Sequence, residues 1–495
     1  MINIPVVKTG VVSVSRDCFP ISLSAKRKEM VKAECAAAGL ENVYVADTII
    51  ENETDALKAL EELKNVGANA LVLYLGNFGP EIPETMLAQK FDGPVMVVAA
   101  AEESQNDLID GRGDAYCGML NASYNLSLRG VKAYIPEYPV GTPDEIAAMI
   151  ASFENIARVV IGLHSLKIFS FGPRPYDFMA CNAPISPLYK TLGVEIQENS
   201  ELDLYAAYNA HKDDARIPAL VEEMAAELGA NNPYAGILPR LAQYEITLLD
   251  WAEENKGASK YFVFANKCWP AFQTQFGFVP CYVNGRLASR GIPVACETDI
   301  YGALTEYIIT CATQKTATLL DINNSVPKDM FEQNPDVFKG YTLTDTFMGF
   351  HCGNTAKECL TCGTMGFQRI MKRSLEPDKE PDITRGTLEG NLIPGECTIF
   401  RLQSTKDCEL RSYVAEGEIA DIDCKSFGGI GVFKIANMGR FYRHVLIAKQ
   451  YPHHAGIAFK HAGKTLFAAM KLLGVEDVSY NQPASIPYKD ENPFG

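Results

Sequence analysis

Hydrophobic positions along the first third of the chain alternate between two periods. Short apolar runs at 6–14, 43–46, 70–75 (ALVLYL) and 94–101 (PVMVVAAA) read as buried strands. Between them, 24–38 and 54–66 (TDALKALEELKNV) carry apolar residues at helical spacing, and a shorter helix is expected near 84–89. Strands alternating with helices predict a doubly wound α/β domain on a parallel sheet. A long helix over 144–164 and a strand over 166–171 follow, and the GPRP loop at 172–175 breaks the pattern.

Beyond that loop a second α/β region is expected. It has helices at 217–228 and 238–253 and a strand at 261–265. Two further runs, 291–297 (GIPVACE) and 316–321 (TATLLD), each stop on a carboxylate. They flank 299–313 (DIYGALTEYIITCAT), whose Leu304, Tyr307, Ile308 and Cys311 form one stripe. Strand, helix, strand reads as a βαβ unit with neighbouring parallel strands. After about residue 355 the helical period fades. Segments 397–403 (CTIFRLQ) and 409–415 (ELRSYVA) read as antiparallel strands, and 457–473 as a closing helix. The expected fold class is therefore α/β, with two doubly wound parallel-sheet domains (1–172 and 173–355) followed by a small β-barrel-like C-terminal domain with a terminal helix (356–495).

Composition changes this picture little. Hydrophobic residues make up 47% and charged residues 21% of 495, as in an ordinary globular protein. A net charge of −16 argues against nucleic acid or an anionic membrane as the main partner. Residues 1–9 lack a basic start and a long apolar core, and no apolar run is expected to span a membrane. The fourteen cysteines are scattered, many within apolar runs, so buried free thiols and a cytoplasmic location are expected. No GxGxxG follows the first strand, where Ser15, Arg16 and Asp17 stand, so a dinucleotide site is not expected.

The candidate chemistry gathers at strand ends. Carboxyl ends of parallel strands line the ligand crevice of such sheets, so Glu297 and Asp321 should point into one pocket. Two buried carboxylates need a cation or a shared proton. A carboxylate ending a strand can instead simply cap the next helix, but Asn323 and Asn324 extend the polar cluster after Asp321. Of seven histidines, His351 sits in GFHCGN, and His453 and His454 sit in YPHHAG. Two carboxylates with one histidine make an oxygen-rich site that suits Mn²⁺ or Mg²⁺. Trp269, in NKCWPAF after a strand, and Arg16 and Arg174 in loops could bind or stack on a sugar. Cys359 and Cys362 form a lone CxxC without the second pair that zinc requires.

CETDIYGALT (296–305), LDINN (320–324), NKCWPAF and HAGIAFKHAG (454–463) resemble the L-fucose isomerase family and, more distantly, L-arabinose isomerase. The resemblance implies an aldose–ketose isomerase working through a cis-enediol. It implies Glu297, Asp321 and His454 as ligands of Mn²⁺ (with Mg²⁺ or Co²⁺ as alternatives), and the two carboxylates as the acid–base pair. His351 falls where arabinose isomerases place a further histidine ligand, and His453 is the rival for the tail ligand. Arg16, Trp269, His351 and Asn323 are expected on the substrate, a small sugar. A homo-oligomer, a hexamer with sites near subunit interfaces, is also implied. L-fucose or an arabinose is the expected substrate. A modified hexose such as sulfoquinovose is the alternative and would need cations such as Arg16, Lys267 or Arg174. A non-catalytic sugar-binding protein and a metal-dependent aldolase or hydrolase are the competing readings.

Overall fold

In the computed structural model, which describes residues 1–372, 378 and 383–492, the chain divides into two units. One is Pro5–Ile161; the other is Met1–Ile4 with Gly162–Gly495. The first holds a five-stranded parallel sheet of β1 (Thr9–Val14), β2 (Val43–Val45), β3 (Ala70–Leu75), β4 (Val95–Ala100) and β5 (Val140–Gly141), in the order β2-β1-β3-β4-β5. Every residue of β1, β3 and β4 is buried, as continuous apolar runs in a parallel sheet require. Asn52 caps the helix Glu53–Val66 by accepting from the Thr54 and Asp55 amides, and Gly67, at φ +69°, ends it. The helix Pro143–Leu163 is, against expectation, long and apolar enough to cross a membrane by length and composition. Ile146, Ile150, Phe153, Ala157 and Val160 along it are buried in the protein, so it reads as a core helix.

The second unit begins with a four-stranded parallel sheet. Its strands are β6 (Leu166–Gly172), β7 (Glu195–Ser200), β8 (Tyr261–Asn266) and β9 (Val294–Ala295), ordered β7-β6-β8-β9. The remaining strands are β10 (Ala317–Asn324), β11 (Thr346–His351), β12 (Thr364–Phe367), β13 (Arg385–Asn391), β14 (Gly395–Ser404), β15 (Leu410–Ile419), β16 (Gly429–Lys434), β17 (His454–Ala458) and β18 (Asp477–Tyr480). Six of them pair antiparallel in a closed ring, β16-β11-β10-β17-β14-β15 and back to β16. A barrel is expected within 356–495; the observed ring also takes in β10 and β11, which precede residue 356, and closure leaves its six strands no free edge.

The βαβ reading of 291–321 is corrected. β9 pairs with β8 in the parallel sheet, whereas β10 sits in the barrel between β11 and β17. The helix between them, Ile300–Thr313, packs on β6, β8 and β9 on one side and on β10, β14 and β17 on the other. Residues 301–313 are all buried. A helix buried on every side is a layer between two sheets rather than a crossover on the face of one. The closing helix over 457–473 is likewise corrected. Residues 454–458 form β17, and the helix runs only from Gly463 to Leu472. The short HAGIA run completes the ring by bonding β10 on one edge and β14 on the other.

Gly456 shows how closely the Ile300–Thr313 helix lies on β17. A Cβ there would stand 2.5 Å from Thr305 Cγ2 and 2.7 Å from Ile309 Cδ1. Gly456→Val should push the helix off the strand that carries His454, lowering stability by about 1–3 kcal/mol, an overpacking cost measurable by urea unfolding.

Candidate metal and sugar site

Asp321 and His454 are opposite one another in the β10–β17 register, so their side chains share a face. His454 Nε2 lies 3.5 Å from Asp321 Oδ1 and 3.8 Å from Glu297 Oε2. Glu297 arrives from the other sheet, just past β9. It and Thr298 both have positive φ, +54° and +59°, which costs about 1–3 kcal/mol per residue and persists only where the surroundings enforce it. The backbone turn leaves the Glu297 side chain buried. Its Oε1 accepts from the Trp269 indole N–H at 3.3 Å and faces Cys268 Sγ at 3.6 Å. Its Oε2 is buried with no hydrogen-bond partner among the described residues. Although burial opposes ionisation, the N–H groups of His351 and Trp269 hold its carboxyl below the usual range.

The protonation of the two buried histidines follows from their partners. His454 Nδ1 lies 2.7 Å from Asp299 Oδ2, so Nδ1 carries the proton and the Nε2 lone pair faces Glu297 and Asp321. His351 Nδ1 accepts from the Cys352 amide at 2.9 Å, so its Nε2 carries the proton, 3.7 Å from Glu297 Oε2. His454 is thus the metal-type donor, and His351 is a hydrogen-bond donor beside it. His453 is more than a third exposed, 3.5 Å from Asp321 Oδ1, and partial burial lowers its pKa. A buried carboxylate oxygen without a partner, an imidazole lone pair and a second carboxylate oxygen fit a hard divalent cation.

Trp269 is therefore at the site. Asn323 is exposed and donates weakly to Asp321 Oδ2 at 3.5 Å. Lys267 pairs with Glu201. Arg16 lies in the other unit, paired with Glu81 at 3.3 Å and stacked over Phe78. The CxxC places Cys359 inside and Cys362 outside, and all fourteen cysteines are free thiols.

Sequence reasoning missed three contributors. Asp299 caps the Ile300–Thr313 helix by accepting from the Gly302 amide at 2.9 Å. It also takes both guanidinium nitrogens of Arg401, at 2.6 and 2.9 Å, and these hold its carboxyl well below the usual range against burial. A Cβ on Gly302 would come within 2.6 Å of that carboxylate. Arg401, fully buried, offered a signal: a lone cation in the apolar run CTIFRLQ needs a buried anion. Phe178 stands edge-on to Trp269 and His453 and tilted to His454, with ring centroids 5.7–6.1 Å apart, and no local pattern marks it.

A family model described as the N-terminal domain of fucose/sulfoquinovose isomerase matches residues 10–164. One described as the C-terminal domain of L-fucose isomerase matches residues 349–480. Three curated relatives are each named sulfoquinovose isomerase. That of Alkalicoccus urumqiensis is 27% identical over 57% of this chain and 58% of its own length. That of a Clostridium species is 27% identical over 60% of each. That of Priestia aryabhattai is 22% identical over 95% of this chain and 98% of its own. The chain thus spans about six tenths of the first two relatives and nearly all of the third. Glu297 and Asp321 fall between the two matched stretches, and His454 falls inside the second.

Two outcomes are expected. Asp299→Asn removes the carboxylate that orients His454 and should cost 10–100-fold in Mn²⁺ affinity by calorimetry, roughly the usual effect of losing such a partner. Glu306, also on this helix, is buried with Oε2 lacking a partner among the described residues, and burial pushes its carboxyl up to about 8. The folded state therefore holds a proton that the unfolded state loses above about pH 4.5. Stability should fall from there to pH 8 by up to about 1.4 kcal/mol per pH unit, and Glu306→Gln should flatten that slope in urea titrations.

Proposed function

We propose that this chain, which belongs to the L-fucose isomerase family of aldose–ketose sugar isomerases, interconverts an aldose and a ketose at Glu297, Asp321 and His454, and that its substrate is a sulfonated hexose of the sulfoquinovose type. One observation carries the reaction: His454 Nε2 lies 3.5 Å from Asp321 Oδ1 and 3.8 Å from Glu297 Oε2, an oxygen that is buried and without a hydrogen-bond partner among the described residues.

The chemistry needs little else. A hard divalent ion such as Mn²⁺, held by those three side chains, would polarise the carbonyl and stabilise negative charge on the two adjacent sugar oxygens. One carboxylate takes the proton from C2 of the aldose. The electron pair of that C–H bond forms the C1=C2 bond of a cis-enediol, and the carbonyl oxygen gains a proton. The proton then returns to C1 while the hydroxyl at C2 becomes the ketone. Nothing is oxidised or reduced overall, so no redox cofactor is called for. The His351 Nε2 proton is available to a sugar oxygen, and Trp269 with Phe178 offers aromatic surface to a sugar face.

The names of the relatives support the sulfonated sugar over a neutral one. So does Arg174. Of the three cations considered from sequence, Lys267 is engaged by Glu201 and Arg16 by Glu81. Arg174 has no carboxylate partner among the described residues; its guanidinium contacts Met179 Sδ at 3.7 Å. It stands on the same loop as Phe178.

Ketose formation should be measured from sulfoquinovose, L-fucose and L-arabinose, before and after exhaustive chelation. Conversion of sulfoquinovose, lost on chelation and restored by Mn²⁺, is expected. Glu297→Gln should cost on the order of 10²–10⁴-fold in kcat. Arg174→Ala should raise KM for the sulfonated sugar about 10–100-fold, as loss of a charged hydrogen bond would. Faster turnover of L-fucose would remove the sulfonate reading, and full activity after chelation would remove the metal.

A further inference from the structure

The two oxygens of Glu297 have different company. Oε2 faces the His454 and His351 imidazoles, whereas Oε1 meets a thiol. Cys268 stands two residues past the end of β8, and Cys296 directly follows β9. Those strands are parallel neighbours, so their carboxyl ends bring both cysteines to one crevice. Cys268 Sγ, Cys296 Sγ and a Glu297 carboxylate oxygen lie within 4.8 Å of one another, and all three residues are buried. Cys268 Sγ is 3.6 Å from Oε1. A tetrahedral site with arms of about 2.3 Å to sulfur and about 2.1 Å to oxygen has a sulfur–oxygen edge of roughly 3.6 Å. Asn284 Nδ2 donates to Cys296 Sγ at 3.8 Å, as an outer partner of a sulfur ligand would. The other two groupings of cysteine, histidine and carboxylate that contain no catalytic carboxylate are already engaged. Cys181 and His454 share Asp299, which Arg401 and the Gly302 amide hold, and His211, Asp214 and Asp250 are partly exposed, with both carboxylates paired to Arg216.

We infer that Cys268, Cys296 and Glu297 Oε1 form a second metal site, for a thiophilic divalent ion of the Zn²⁺ class, and that this ion competes for Glu297 with the ion on the oxygen-rich side. Binding at the thiols stands on their geometry; the competition rests on the isomerase reading above. Each thiol releases its proton to solvent as its sulfur–metal bond forms, and nothing is oxidised. Three protein ligands leave a fourth position for water, the pattern of an open zinc site. Ligand softness separates the two sites: thiolates select Zn²⁺-type ions, whereas Asp321, His454 and Glu297 Oε2 suit Mn²⁺. One carboxylate cannot give its full charge to both ions, so occupancy of one side weakens the other. Trp269, whose indole N–H donates to Oε1 at 3.3 Å, must also turn away to admit the soft ion, which moves the aromatic surface offered to the sugar. Thiophilic ions therefore oppose the reaction twice, through the carboxylate and through the indole.

The test uses the full chain carrying Cys18→Ser, Cys117→Ser, Cys362→Ser and Cys408→Ser, so that exposed thiols do not compete. After chelation, Cd²⁺ is titrated in and the ultraviolet charge-transfer band of thiolate-bound Cd²⁺ is followed. Only sulfur ligation registers in that band, so Cd²⁺ on the oxygen-rich side is silent. The band is expected to saturate at about one ion per chain. Adding Cys268→Ser with Cys296→Ser should abolish it and weaken binding at least roughly 100-fold, since losing even an outer partner of a ligand costs about 10–100-fold. Cys296→Ala alone, a milder change in case the two serines disturb folding, should weaken it at least about tenfold, as should Glu297→Gln with both thiols intact. Saturating Mn²⁺ should weaken the Cd²⁺ affinity read from the band by about tenfold, because coupling through one carboxylate is reciprocal. No band, or a band unchanged in the thiol variants, overturns the site. A Cd²⁺ affinity indifferent to Glu297→Gln and to Mn²⁺ overturns the sharing of Glu297. If calorimetry finds no Mn²⁺ binding even without Cd²⁺, the metal of the isomerase reading fails instead, and the band and its loss in the thiol variants still decide the second site.

Discussion

The buried pair of Asp299 and Arg401 is the interaction on which the site depends. Asp299 begins the helix between the parallel sheet and the barrel, and Arg401 stands in β14 of the barrel wall. Their two hydrogen bonds tie the two layers together at one point, and Gln403 Oε1 accepts from Arg401 Nε at 3.0 Å and shares Nη2 at 2.8 Å. Ions stripped of water gain from such a pairing only when their remaining hydrogen-bonding capacity is met, and here it is largely met. Removing one partner of such a pair typically costs about 3–5 kcal/mol, because the other is left charged in the interior. The same carboxylate also fixes the proton on His454. One anion therefore caps a helix, neutralises a buried cation and aims a ligand-type lone pair.

Bringing a carboxylate from each sheet to His454 has a second requirement. β9 is only two residues long, and the chain must turn from its end into a helix lying between two sheets. Glu297 and Thr298 accept left-handed backbone conformations to make that turn. The strain is offset by what holds them: the Thr298 amide donates to the Asn266 carbonyl, the Asp299 amide to the Cys296 carbonyl, and the helix cap follows at once. The barrel supplies the other two donors by register alone. With Asp321 opposite His454 in adjacent antiparallel strands, no loop has to be positioned to bring them together.

Much of this was legible in the residues. The four apolar runs of the first unit lie in one parallel sheet, because residues buried on both faces of a strand leave an unbroken apolar signal. The pairing of 397–403 with 409–415 was legible from alternation. Glu297 and Asp321 could be named because carboxylates are rare at the ends of apolar runs, His454 followed only from the resemblance, and His454 Nε2 does lie 3.8 and 3.5 Å from the two carboxylates. Their route to one another could not be read. The same strand, helix, strand text describes both a βαβ unit and a helix layered between two sheets; the difference lies in which partners β9 and β10 find. HAGIA reads as the start of a helix by composition and is a strand because two barrel edges claim it.

What the sequence determined by itself is local: where apolar periods begin and end, which residues carry charge or a lone pair, and that a chain with such segments resembles sugar isomerases. What only the tertiary structure decided is which of those groups meet. Asp299 stands at the start of a helix and Arg401 in the middle of a strand, and nothing local to either marks the other. A hundred residues apart, they identify each other's role only when the barrel closes against the helix. The two histidines differ in the same way. His351 and His454 are chemically identical in the sequence, and the neighbour at Nδ1, an amide donor for one and a carboxylate for the other, determines which presents a proton and which a lone pair.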